Sequence, residues 1–339
     1  MTSTVKTRIF VLSDTHAGFQ GRSTDSYAKE DGSFRPPLPK ADVLLHSGDL
    51  TMVGTMQEYR SAIALLKGID AELKLVIAGN HELSLHADYY LGSGRSLSRS
   101  LQSGFYDESM AKEAAELWSG PEAKAAGVTY LTEGLHKFEL SNGAKFTVYA
   151  SPWQPVFCHW AFNYPKNEDR WNPPHLVHAE PSGPFKNAYP APEKNDPHPI
   201  PEGTTVDVMM THGPPWMHLD KCARDDYRAG CPHLLRALDR VRPRLHCFGH
   251  IHEAWGAERV KWKGDQDPAE GPGIQKPDDV DVRERRAAYV DVSSESSRPL
   301  IAGKETLLVN SCIMSLSYKA HGAAWLVDMD LPKGTPQGF

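Results

Sequence analysis

Short apolar runs recur along the chain, and five of them stop abruptly at clusters of polar residues. Arg8–Ser13 ends at Asp14-Thr15-His16, Val43–Ser47 at Gly48-Asp49-Leu50, and Leu73–Ala78 at Gly79-Asn80-His81-Glu82. Val206–Met210 runs into Thr211-His212-Gly213-Pro214-Pro215, and Leu245–Phe248 into Gly249-His250-Ile251-His252. Apolar runs of this length bounded by turn residues predict buried strands. In open α/β sheets, ligands bind outside the carboxyl ends of the strands, so the five clusters are expected to converge.

Helical patterns lie between some of these runs. Thr55-Met-Gln-Glu58 reads as a capping box, with Tyr59, Ile63 and Leu66 following on one face. Glu108–Trp118 places Met110, Ala114 and Leu117 at helical spacing, and Pro232–Val241 opens on a proline suited to a first turn. Further strands are expected at Val128–Leu131, Lys145–Ala150, Thr306–Asn310 and Ala323–Asp328. The order, βαβ early and strand-rich later, predicts an α/β protein with a layered sheet core flanked by helices.

Two stretches break the rhythm. Residues 165–201 hold ten of the chain's 26 prolines, with Trp171, Phe185 and Tyr189 among them, and read as a long ordered insertion, either wrapped over the surface or lidding a cleft. Residues 263–302, rich in Gly, Pro, Ser and charge and including Arg283-Glu-Arg-Arg286, read as a solvated insertion. Residues 332–339 read as a flexible tail, leaving residues 1–331 as one expected domain.

Composition narrows the class. The 339 residues carry 37 Lys+Arg against 43 Asp+Glu, a formal charge of −6, and 40% are hydrophobic, as in soluble globular proteins. That balance argues against a dedicated nucleic-acid binder, and no apolar run is long enough to span a membrane. Cys158, Cys222, Cys231, Cys247 and Cys312 are widely spaced with no C-x-x-C pair, which predicts free thiols and a cytoplasmic location rather than a disulfide framework.

Histidine is the informative residue, with 16 in the chain. Asp14 and His16 lie two apart, so on an extended strand end they would point the same way, and His250 and His252 repeat the spacing. Asp49, Asn80 and His212 each follow another apolar run. Mixed imidazole and carboxylate donors suit Mn, Fe, Zn or Co, and a carboxylate can bridge two such ions. No thiolate stands in the clusters, which argues against a structural zinc site. A two-metal centre lowers the pKa of a bridging water, and the resulting hydroxide can attack phosphorus in line.

The ordered set Asp14-x-His16, Gly48-Asp49, Gly79-Asn80-His81-Glu82, His212 and Gly249-His250-x-His252 resembles the signature of the calcineurin-like metallophosphoesterases. Val76-Ile-Ala-Gly-Asn-His-Glu82, Thr211-His-Gly-Pro-Pro215, Gly230-Cys231, Arg242-Pro-x-Leu-His246 and Asn310-Ser-Cys312 are similar to its metallophosphoesterase-domain and class III cyclic-nucleotide phosphodiesterase subgroup. The resemblance covers roughly residues 8–260 and 304–332. It implies two mixed β-sheets packed together and flanked by α-helices, with the metal site at strand ends. It also implies one divalent ion on Asp14, His16, Asp49 and His252, a second on Asp49, Asn80, His212 and His250, and His81 as the group that protonates the leaving oxygen. Glu82 and His46 are candidates for supporting these groups.

The resemblance also bears on substrate. Protein phosphatases of the superfamily carry Gly-Asp-Tyr-Val-Asp-Arg-Gly after the bridging Asp, whereas this chain reads Gly48-Asp49-Leu50-Thr51-Met52-Val53-Gly54. The phosphate-clamping arginine is missing there, which points to small-molecule phosphodiesters, nucleotides or cyclic nucleotides among them. A phosphomonoesterase or nucleotidase, and a nucleotide-binding regulatory protein with little turnover, are the alternatives. Trp153, Phe157, Trp160 and Phe162 are either packing residues or a wall for a base. Trp216 and His218 are close enough in sequence to His212 to line the cleft.

Overall fold

In Thr4–Leu12 (β1), Ile9, Phe10, Val11 and Leu12 are all fully buried, which requires cover on both faces of the strand. The alternation sorts them: Ile9 and Val11 join a core between two sheets, whereas Phe10 and Leu12 join a core beneath helices. This computed structural model describes residues 3–16, 34, 37–102, 106–176, 198–223, 227–262 and 277–334.

The remaining strands are Ala41–His46 (β2), Ala71–Val76 (β3), Val128–Tyr130 (β4), Gly134–Glu139 (β5), Lys145–Ser151 (β6), Gln154–Pro155 (β7) and Asn163–Tyr164 (β8). They continue as Val208–Thr211 (β9), Leu245–Phe248 (β10), Gly256–Lys261 (β11), Ala288–Asp291 (β12), Glu305–Asn310 (β13) and Trp325–Pro332 (β14). The helices are Met56–Lys67 (α1), Ala87–Leu91 (α2), Arg95–Leu101 (α3), Met110–Ser119 (α4), Pro121–Ala125 (α5), Pro232–Val241 (α6) and Asp279–Arg285 (α7).

One six-stranded sheet runs β12-β14-β1-β2-β3-β4, the other β11-β13-β10-β9-β6-β5, and β7 pairs with β8. Each large sheet is mixed: β1 to β4 are parallel with β14 antiparallel, while β6, β9, β10 and β13 are parallel with β5 and β11 antiparallel. The expected layered α/β architecture is the one observed. Val43, Leu45, Leu75, Val148, Met210, Cys247 and Val309 fill the space between the sheets. Tyr59, Ile63 and Leu66 of α1 cover the outer face of the first sheet, and Leu234 and Leu238 of α6 that of the second. Thr55 and Glu58 form the expected capping box at the start of α1.

Two readings need correction or division. Residues 277–302 are not a solvated loop throughout. Ala288, Val290 and Val292 are buried in the core between the sheets, β12 pairs with β14, and Val282 anchors α7 against them. The strand is four residues long and flanked by charge, so its apolar alternation is too brief to stand out. Residues 263–276 lie outside the described residues.

The described ends of the proline-rich stretch are built into the outer face of the second sheet. Trp171 and Ile200 pack in its core, and Ile200 N donates to Trp171 O at 3.0 Å. Buried Arg170 pairs with Glu133 at 2.9 Å and Glu168 at 2.8 Å over the Trp153 ring. Residues 177–197, with Phe185 and Tyr189, and residues 335–339 of the expected tail lie outside the described residues. Among the described residues, no helix is long and apolar enough to cross a membrane.

Candidate metal centre

The parallel strands β1, β2, β3, β9 and β10 stop at the same edge of the two sheets. Backbone bonds join the loops that follow: Asp14 N donates to Gly48 O at 2.9 Å, Ser13 N to Ser311 O at 3.0 Å, and Gly249 N to His212 O at 3.0 Å. Asp14, His16, Asp49, Asn80, His81, His212, His250 and His252 thereby meet at one place, as the five clusters predict. The local geometry differs from the extended one expected. Asp14 (φ 53°), His16 (φ 49°), Asp49 (φ 53°) and His250 (φ 67°) are left-handed, so tight turns rather than strand pleating aim these side chains inward. Non-glycine residues held this way cluster at functional sites.

The loops approach too closely for bulk. A Cβ at Gly79 would overlap Asp49 Oδ1 and the His212 ring, and one at Gly249 would overlap Asp14 Oδ2.

The tautomers of four of these histidines are set by main-chain carbonyls. Nδ1–H of His16 donates to Thr51 O at 3.0 Å, that of His212 to Ser47 O at 2.9 Å, that of His252 to Ser315 O at 3.1 Å, and that of His81 to Met52 O at 2.6 Å. The Nε2 lone pairs therefore point into the cluster. There they face other acceptors: His16 Nε2 lies 3.4 Å from His252 Nε2, and His212 Nε2 lies 3.0 Å from Asn80 Oδ1. Lone pairs this close repel unless a cation or a proton sits between them. The donor set fits divalent metals, with sub-groups Asp49, His212 and His250, then His16, Asp49 and His81, then Asp14, His252 and Cys312 each within reach of one ion.

Asp49 is central to the arrangement. Its Oδ1 is 3.3 Å from His212 Nε2, while Oδ2 is 3.8 Å from His16 Nε2 and 3.9 Å from His81 Nε2. Burial opposes ionisation of Asp49 and Asp14, but the histidines outweigh it, His212 for Asp49 and His252 for Asp14, and hold both carboxyls below the usual range. Burial likewise pulls His212 down, yet Asp49 lifts it to about 9; His16 and His250, where burial wins, fall to about 3.

Residues 7–254 match the calcineurin-like phosphoesterase family. The chain belongs to that family. Within it, the chain is 32% identical over 254 residues to the human and mouse "Metallophosphoesterase domain-containing protein 1", covering 74% of this chain and 62% of theirs. It is also 32% identical over 231 residues to the Caenorhabditis elegans "UPF0046 protein T07D4.2", covering 65% of this chain and 48% of that one. The chain thus spans about three fifths or less of the length of these relatives.

Support residues around the family's cluster were only partly legible. Buried His46 accepts from Gly48 N at 3.3 Å and meets Thr15 Oγ1 at 2.9 Å, tying two of the loops. Glu82 accepts from Gly79, Asp49 and Thr51. The five sequence clusters contain no thiol, but a β-bridge between Ser13 and Cys312 brings the sulfur of Cys312 beside Asp14 and His252. Its sequence signals are its place just past an apolar run and the Asn310-Ser-Cys312 motif. Tyr318, which packs on His16 and His252, carried no signal at all. Of the aromatic stretch, Trp153 and Phe162 pack with His86, whereas Trp160 and Phe157 meet His81 and His250. His218 pairs with Glu258 at 3.1 Å rather than with the cluster.

Proposed function

We propose that this protein is a two-metal phosphoesterase of small molecules, acting on phosphodiesters such as nucleotides or cyclic nucleotides. The observation that carries the reading is the two-sided placement of Asp49, with Oδ1 toward His212 and Oδ2 toward His16. In this assignment Asp14, His16, Asp49 and His252 would hold one ion, and Asp49, Asn80, His212 and His250 would hold the other. When bound, the two cations would supply positive charge to the phosphoryl oxygens and acidify water for attack on phosphorus.

The chain's own groups do the rest. The Met52 carbonyl holds the His81 ring with Nε2 toward the cluster, so His81 can hold a proton there and pass it to a leaving oxygen. Asp14 and Asp49 are the two carboxylates of the set, so two bound divalent cations would keep net positive charge for an incoming phosphate. The donor set suits Mn, Fe, Zn or Co. The net charge of −6 favours a small ligand over nucleic acid, and the free thiols fit a cytoplasmic setting.

The test is a paired assay on protein reloaded with Mn²⁺, comparing bis(p-nitrophenyl) phosphate with p-nitrophenyl phosphate and using chelated protein as the blank. A metal-dependent preference for the diester is expected. Preference for the monoester would make the protein a nucleotidase-like phosphatase, and no metal-dependent rate with Mn²⁺, Fe²⁺, Zn²⁺ or Co²⁺ would overturn the enzyme reading.

A further inference from the structure

Three aromatic rings surround the cluster, each resting on a different part of it. The Trp160 indole stacks on His81 with centroids 4.1 Å apart and planes at 30°. Tyr318 stands edge-on to His16 at 5.0 Å and to His252 at 5.7 Å, with His81 at 6.4 Å. Phe157 meets His250 edge-on at 5.5 Å. His81 thus stands between the face of one ring and the edge of another.

Trp160 packs half-buried against the core outside the second sheet, but the other two rings are not ordinary packing. Tyr318 is 44% exposed and Phe157 51%, so large apolar surfaces stay in solvent beside the cluster. Tyr318 also has φ 53°, a costly conformation for a bulky residue. Its loop is nonetheless a built turn: Tyr318 N donates to Ser315 O at 2.8 Å, and Ser315 N to Lys319 O at 2.9 Å. The Ser315 carbonyl is also the group that orients His252. On the other side, Ala161 N donates to Asn80 O at 3.3 Å and fixes the segment that carries Trp160. Both rings are therefore tied through main chain to residues of the cluster.

We propose that Trp160 and Tyr318, the two rings that meet His81, are specificity-determining residues that offer aromatic surface to a planar aromatic group of the substrate. The proposal rests on the phosphoesterase reading and deepens it. Uncharged ring surfaces bind any flat π-system by stacking and gain little from an aliphatic chain or a bare sugar. Because Trp160 lies on His81, the planar group sits next to the residue that meets the leaving oxygen.

The test measures binding of AMP, ribose 5-phosphate and adenosine to Mn²⁺-loaded protein by calorimetry, with metal content checked in every sample. Base stacking of about 1–3 kcal/mol predicts that AMP binds roughly 5- to 150-fold more tightly than ribose 5-phosphate. That ratio should fall toward one in Trp160→Leu and Tyr318→Leu and persist in Trp160→Phe and Tyr318→Phe. A ratio near one in the unaltered protein, a ratio untouched in the doubly leucine-substituted protein, or binding of none of the ligands would overturn the aromatic site. Adenosine binding as well as AMP, with the ratio lost in the leucine variants, would keep the aromatic site and defeat the phosphoesterase reading instead.

Discussion

The Glu82 carboxylate accepts the backbone N–H of Asp49 at 2.9 Å. The same oxygen takes Gly79 N at 2.6 Å, and the other takes Thr51 N at 2.9 Å and Thr51 Oγ1 at 2.8 Å. One buried side chain thus locks the loop after β2 to the loop after β3, and with it the position of the central carboxylate. Burial and the Asp49 charge push Glu82 up to about 8 in the metal-free protein, against the pull of its four donors. Cations beside Asp49 would remove most of that repulsion and favour the carboxylate.

Glu82→Gln replaces two acceptor oxygens with one oxygen and an amide N–H that cannot accept. Loosening the support of a ligand in this way typically weakens metal affinity about 10- to 100-fold. Competition with a chromogenic chelator reads this directly, and far-ultraviolet circular dichroism shows whether the fold persists. Unchanged affinity would mean that the loops hold Asp49 without Glu82.

Asp49→Asn and His81→Ala should separate holding metal from using it. Loss of Asp49 should lower metal content at both positions and abolish turnover. His81→Ala should keep both ions while lowering kcat by about 10²- to 10⁴-fold, the range for one general acid. Metal analysis alongside rates decides the matter; a His81→Ala protein with full kcat on esters of poor leaving groups would remove its acid role.

Metal binding should release protons. His212 is raised to about 9, so near pH 7.5 the metal-free protein carries a proton where a cation would bind. A raised histidine contributes stability that is complete below its ordinary value of about 6.5 and is lost as pH climbs through 9. Chelated protein should therefore lose this contribution between those limits, whereas metal-loaded protein, with His212 already neutral, should not. Calorimetric titration with Mn²⁺ in two buffers of different ionisation enthalpy counts the protons; identical apparent enthalpies would rule the displacement out.

The edge strand β12 supplies a stability test. Val290 is buried opposite Val327, so Val290→Asp places an unpaired carboxylate in the core and should cost about 3 kcal/mol or more. Val280→Asp, on the exposed side of α7, should change stability by no more than about 0.5 kcal/mol. Urea midpoints of the two variants give the comparison, and equal midpoints would contradict the packing of residues 288–292.

Much of the frame was legible in local pattern. A run such as Val208–Met210, apolar on both faces, fits a strand covered on both faces, and α6 begins and ends where its proline and apolar spacing say. Asp14, His16, Asp49, Asn80, His81, His212, His250 and His252 were recognisable because each chemical group stands where an apolar run stops. Short or edge elements were not: β5 alternates between half-buried and exposed residues, and β12 is too brief to show a period.

The strand cores, the capped helix α1 and the chemical identity of the cluster are legible in the order of residues, since all of these follow from neighbours a few residues apart. Tertiary packing fixes the left-handed turns at Asp14, His16 and Asp49, and the hydrogen bonds by which Thr51, Ser47, Ser315 and Met52 orient His16, His212, His252 and His81. It alone brought Cys312 beside Asp14 and Tyr318 over His16, across roughly 300 positions of chain. Such contacts depend on which loops the two sheets bring to a common edge, and no local periodicity encodes that meeting.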